Sequence, residues 1–184
     1  MDKNKLNEIL NEYIKNPSLI KHSKMVALAM EHYASMYMLP GSEVFEWYTA
    51  GLLHDLDWEM YPEEHPNYSI EHILPTLQIS NQVINAIRAH APQITGYYPT
   101  TKMETHLFAC DEISGFINAV TLVRPNGIKD LEPKSVIKRL KEKSFAANVN
   151  RDDIYKGLDL IGINLEEHIK NLIIAFSASD LFNK

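Results

Sequence analysis

Cysteine is almost missing from this chain: Cys110 is the only one in 184 residues. An internal disulfide and a thiolate-based zinc site are therefore excluded. Long apolar runs are missing too. None approaches the ~18 residues a membrane-spanning helix needs, so no membrane association is expected. Positive charge is in deficit, with 18 Lys and Arg against 24 Asp and Glu and a net charge of −6. That argues against broad nucleic-acid binding through a basic surface. A small phosphorylated ligand stays open, because a local site can be cationic on an acidic protein. Residues 1–5 are polar and no apolar stretch follows them, so the expectation is a cytoplasmic protein. There is no β-hairpin signal, no internal repeat and no low-complexity segment.

What is present is helical periodicity. Hydrophobic residues make up 45% and charged residues 23%, ordinary for a globular chain of a length that suits one domain. Leu6, Ile9, Leu10 and Tyr13 recur at 3- and 4-residue spacing and predict a first helix. Asn16-Pro17 reads as an N-cap followed by proline at the first helical position, opening a long helix over 17–37. Pro40-Gly41 breaks the chain, and Ser42 is expected to cap a helix running to His54. The acidic, proline-containing stretch 59–66 reads as a loop, and a short helix is expected over 67–76. Ser80 caps a helix ending near His90. Residues 91–101, with Pro92, Gly96 and Pro99, read as an exposed loop. Further helices are expected over 103–123, 133–143, 151–160 and 165–180, the last two opened by Asn150 with Asp153 and Asn164 with Glu167. The fold class is all-α.

The chemistry concentrates at Gly51-Leu52-Leu53-His54-Asp55-Leu56-Asp57. A carboxylate at the end of an apolar run costs several kcal/mol to desolvate unless it is paired or binds a metal. Eight histidines is roughly twice what average composition gives. His22 lies among Leu19, Val26 and Ala29, and Asp111 among Leu107, Phe108, Ala109 and Cys110, so each is a polar group in an apolar helix. Imidazole nitrogen with carboxylate oxygen suits Zn, Mn, Fe, Co or Ni better than Ca. His32, His72, His106 and His168 lack any motif and read as solvated or structural. Trp47 and Trp58 read as core or cleft wall. The run Lys134, Lys138, Arg139, Lys141 and Lys143 reads first as an exposed helix face.

His22, then His54-Asp55, then Asp111, resembles in order and spacing the H…HD…D pattern of the HD-domain metal-dependent phosphohydrolase superfamily, in particular its small stand-alone bacterial members. The likeness covers most of the chain, including 51–57, 110–115, Arg124-Pro125 and 134–151. It implies a single-domain HD-domain helical bundle, with residues 1–132 as the metal-binding core and 133–184 as a helical C-terminal extension packed on the same domain. It implies that His22, His54, Asp55 and Asp111 bind a first divalent metal (Mn, Fe, Co, Ni, Zn or Mg). Some members add histidines between the pair and the last Asp. His65 and His90 occupy that interval, would hold a second ion, and would make Asp55 the bridge. The implied reaction is hydrolysis of a small phosphorylated compound, a nucleotide first, by metal-activated water. Acids after the pair (Asp57, Glu59, Glu63, Glu64) are open as general acid or base; Asp55, Glu59 and Glu64 stand as catalytic candidates. Lys138 and Arg151 are the candidates for binding phosphate. A non-catalytic HD sensor module and a di-iron HD-family oxygenase are the rival readings, and homo-oligomerisation is left open.

Overall fold

The helical periodicities become nine α-helices among the described residues, 1–182, of a computed structural model. In chain order they are α1 (Lys3–Tyr13), α2 (Pro17–Met36), α3 (Gly41–Leu53), α4 (Asn81–Ala89), α5 (Pro92–Thr95), α6 (Lys102–Leu122), α7 (Pro133–Leu140), α8 (Arg151–Ile161) and α9 (Leu165–Ser177). No strand occurs among these residues, and no helix is long and apolar enough to cross a membrane. The fold is all-α.

α6 is the spine. It buries residues all around its circumference, from Met103 through Phe116 to Thr121, which is the pattern of a helix surrounded by others. α2, α4, α8 and α9 pack on it. Thr101 and Glu104 start it with a reciprocal capping box that the sequence reading passed over. The other caps follow expectation: Asn16, Ser80, Asn150 and Asn164 each accept a backbone N–H of the next turn.

Three local expectations are corrected. Ser42 does not cap α3. Pro40 takes that position and Gly41 opens the helix, because a proline with fixed φ and no N–H suits a helix entry. The segment 67–76 is not one regular helix but a π turn (Ser69–Ile73) followed by a 3₁₀ turn (Leu74–Thr76). Pro75 has no N–H to continue an α-helical ladder. Residues 91–101 are largely exposed, as expected, but they are not loop throughout. They contain α5, and Thr95 Oγ1 donates to Arg88 O and Ala91 O at 2.9 and 3.1 Å. Buried Glu104 ties down the rest, accepting from Tyr97 Oη at 3.1 Å and from Thr100 N and Thr101 N at 2.8 and 2.9 Å.

Two close helix crossings position the site. A Cβ on Gly51 would lie 2.8 Å from backbone atoms of Val26 and Ala27, so only glycine lets α3 approach α2 this closely. A Cβ on Gly157 would lie 2.7 Å from Ala109 Cα, so α8 meets α6 under the same condition. Gly51 sits one turn before His54, and Ala109 sits just before Asp111.

Candidate metal centre

Six side chains from separate parts of the chain converge. α2 carries His22, α6 carries Asp111, and His54 is the C-cap of α3 with Asp55 next to it. His90 is the C-cap of α4, and His65 stands in the turns after α3. His54, His65 and His90 are buried, while Asp55 and Asp111 keep 16% and 22% of their side-chain surface exposed. All six candidate metal residues of the sequence reading therefore meet.

The donor atoms form two clusters. In the first, His22 Nε2 lies 3.3 Å from His54 Nε2, 2.9 Å from Asp111 Oδ1 and 3.7 Å from Asp55 Oδ2. His54 Nε2 lies 3.2 Å from Asp55 Oδ2 and 3.4 Å from Asp111 Oδ1. In the second, His65 Nε2 and His90 Nε2 are 3.1 Å apart, and lie 3.4 and 3.7 Å from Asp55 Oδ1. Neighbouring donors on an octahedral ion bound at about 2.1 Å are about 3.0 Å apart, so both clusters fit one ion each. Asp55 gives one oxygen to each cluster.

The imidazoles are held with bare nitrogens inward. His54 Nδ1 donates to Gly51 O at 2.9 Å, and His90 Nδ1 donates to Ile87 O. His65 Nδ1 donates to Asp57 Oδ1 at 2.7 Å, and the other oxygen of fully buried Asp57 accepts from Ser69 N at 2.7 Å. With Nδ1 carrying the proton, Nε2 presents a lone pair. His65 and His90 thus aim two lone pairs at each other across 3.1 Å, a repulsive arrangement unless a cation lies between them. Electrostatics agree. Burial pushes the His54 imidazole down, but the Asp55 and Asp111 carboxylates outweigh it and hold the group well above its ordinary value. Burial likewise pushes Asp55 and Asp111 up, and the facing histidines hold both well below the usual carboxylate range. The cluster demands positive charge, and the buried His/Asp groups are positioned to hold a metal ion.

A cleft of about 380 Å³ opens over the clusters. Trp58, 43% exposed, stands edge-on to the His65 ring at 4.9 Å and forms one wall. No lysine or arginine lines it among the described residues. The two residues expected to bind phosphate lie elsewhere. Lys138 is exposed and does not line the cleft. The Arg151 guanidinium donates to Leu140 O, Ala146 O, Val149 O, Glu142 O and Phe145 O. Five acceptors use all five of its N–H groups, so it ties the 140–149 segment to α8 and has none left for a ligand. Glu59 and Glu64 lie outside the cleft too. Glu59 Oε2 accepts from Lys15 N and Asn16 N at 2.8 and 2.9 Å, bracing the entry to α2. Glu64 is exposed, and neither lines the cleft.

Two acids that do line it were missed. Glu112 stands beside Asp111, and burial, with the Asp111 charge next, pushes its carboxyl up to about 7. Asp153 of α8 accepts from Lys156 Nζ at 2.8 Å and from Asn150 Nδ2. A polar residue following a buried Asp on an apolar helix was the available signal for Glu112; nothing in the local sequence pointed to Asp153. Asp57 was in the open set of acids, and the structure places it behind His65 rather than in the cleft. Compared with protein-family models, curated proteins and solved structures, the chain matches none.

Proposed function

We propose that this protein is a divalent-metal-dependent phosphohydrolase of the HD type, acting on a small phosphorylated compound, with nucleotides the first class to test. The observation that carries the reading is the division of Asp55, whose Oδ2 faces His22 and His54 while Oδ1 faces His65 and His90. A carboxylate so shared would serve two ions at once. His22, His54, Asp55 and Asp111 would hold the first ion, and Asp55, His65 and His90 the second. Bound there, two divalent ions would lower the pKa of a shared water towards about 7 and neutralise phosphoryl oxygens. The chain's own groups supply the rest. Asp57 fixes the His65 tautomer. Glu112 and Asp153 are the cleft carboxyls that no donor cluster uses, and Glu112, without the Lys156 pairing that holds Asp153, would give a proton to the departing oxygen. Trp58 and the buried histidines limit bulk water on one side of the cleft.

The test is hydrolysis of a panel of nucleotides and phosphate esters by wild type and His54→Ala, each supplemented with Mn, Co, Ni or Fe. Expected is activity in wild type that His54→Ala reduces by at least about a hundred-fold. Metal-replete wild type with no activity on any phosphate ester, and an oxygen-dependent iron spectrum instead, would replace this reading by the oxygenase one.

A further inference from the structure

A second cavity, of about 510 Å³, continues from the metal cleft, and Gln93, Phe108 and Asp153 line both. Its far side is formed by Tyr98, 69% exposed, and Leu160, 42% exposed. The segment carrying Tyr98 is not loose, because Glu104 holds Tyr97 and Thr100 on either side of it. Among the described residues the one cation lining this cavity, Lys156, is paired with Asp153, and Asp159 stands in the same wall. A second phosphate or a carboxylate would therefore meet net negative charge and lose its hydration without a partner. A neutral ring would find aromatic and aliphatic walls of a size suited to it.

We infer that this cavity binds the leaving group of the metal-site substrate, and that the substrate is a phosphomonoester whose organic part carries a neutral aromatic or apolar ring and no second anionic group. The inference rests on the metal-centre reading above. Charge supports it independently of shape. Two divalent ions facing the Asp55 and Asp111 carboxylates would leave about two positive charges, fewer once the Asp57 carboxylate behind His65 is counted, so one phosphomonoester dianion would be enough to neutralise the site. Among the described residues neither cavity offers an unpaired lysine or arginine for more.

Non-hydrolysable phosphonates test this by binding rather than turnover. Manganese-loaded protein is titrated calorimetrically with methylphosphonate, benzylphosphonate and 4-carboxybenzylphosphonate. Expected is benzylphosphonate binding at least about ten-fold tighter than methylphosphonate, with the carboxylated analogue losing most of that gain. In Tyr98→Ala and in Leu160→Lys, both at exposed positions, the benzyl advantage falls to about two-fold or less while methylphosphonate binding is unchanged. Equal affinity for the methyl and benzyl compounds, an undiminished preference in the variants, or equal affinity for the carboxylated compound overturns the inference alone. Failure of all three phosphonates to bind manganese-loaded protein overturns the metal-centre reading, and the inference with it.

Discussion

Each oxygen of Asp55 has its own pair of histidines, and this gives single substitutions distinct expected outcomes. Asp55→Asn keeps the shape but offers one carbonyl oxygen and an NH₂ that repels a cation. Metal analysis after dialysis should show retained manganese falling from about two ions per chain to well under one, whereas His65→Ala should leave about one. Asp57 touches no proposed ion, yet its two oxygens take the protons of His65 Nδ1 and Ser69 N. Asn at 57 can accept only one of them. Asp57→Asn should weaken the second, weaker manganese binding step by about ten- to a hundred-fold and leave the first within about three-fold; equal weakening of both steps would show a folding effect instead. Much of the centre was legible in the sequence because its donors are of the right kind: His54-Asp55, His22, His65, His90 and Asp111 all meet. What was not legible depends on where backbone carbonyls and neighbouring helices end up. Arg151 matched the chemistry of a phosphate ligand, but its fork serves equally well five carbonyls of a folded-back segment. Asp153 could be assigned to the cleft only once the packing of α8 on α6 was known.

At the scale of elements, helix identity followed from periodicity and caps, whereas the approach distance of helices did not. Gly51 and Gly157 look like weak points within helical patterns, and both are contact points between backbones. Gly115 is a helical glycine of another sort. A Cβ there would meet only His22 ring atoms at 3.7 and 3.9 Å, an ordinary contact. Substitution by alanine should therefore have opposite signs. Gly51→Ala must push α3 away from the α2 backbone and should cost about 1–3 kcal/mol in urea denaturation, together with a loss of manganese affinity because His54 leans on Gly51 O. Gly115→Ala should be neutral or stabilising by up to about 1 kcal/mol, since alanine is the better helix former. A destabilised Gly115→Ala with an unaffected Gly51→Ala would contradict the crossing geometry. The same reasoning explains why 91–101 was misread. Its proline and glycine content describes a turn-rich segment, and only the docking of that segment on the first turn of α6 turns it into a cavity wall.

Across the whole molecule, a second buried histidine network lies on α2, α6 and α9, apart from the metal donors. His168 Nε2 donates to Ala109 O at 3.0 Å and its Nδ1 accepts from Tyr33 Oη at 2.6 Å. His106 Nδ1 donates to Lys102 O at 2.7 Å and its Nε2 accepts from Tyr37 Oη at 3.0 Å. Each ring has one donor and one acceptor role filled, which is the neutral form. Burial lowers both from the ordinary 6.5 to about 4. The unfolded chain therefore binds protons at these two positions between pH 6.5 and 4 while the folded chain does not, so stability rises with pH across that window and falls on acidification. The pair should contribute a slope of about 2.4 kcal/mol per pH unit in mid-window, half of it from each ring. His54, which its carboxylate neighbours raise, acts mainly above this window, and the lowered Asp55 and Asp111 carboxylates add to the slope at its acid end, so the wild-type slope alone is a mixture. His168→Gln isolates the effect. In urea denaturation at intervals from pH 6.5 to 4.5, its stability should decline less steeply than wild type, by about 1.2 kcal/mol per pH unit in mid-window. Parallel lines for the two proteins would mean that His168 is not held neutral, and that the contact joining α9 to α6 tolerates charge.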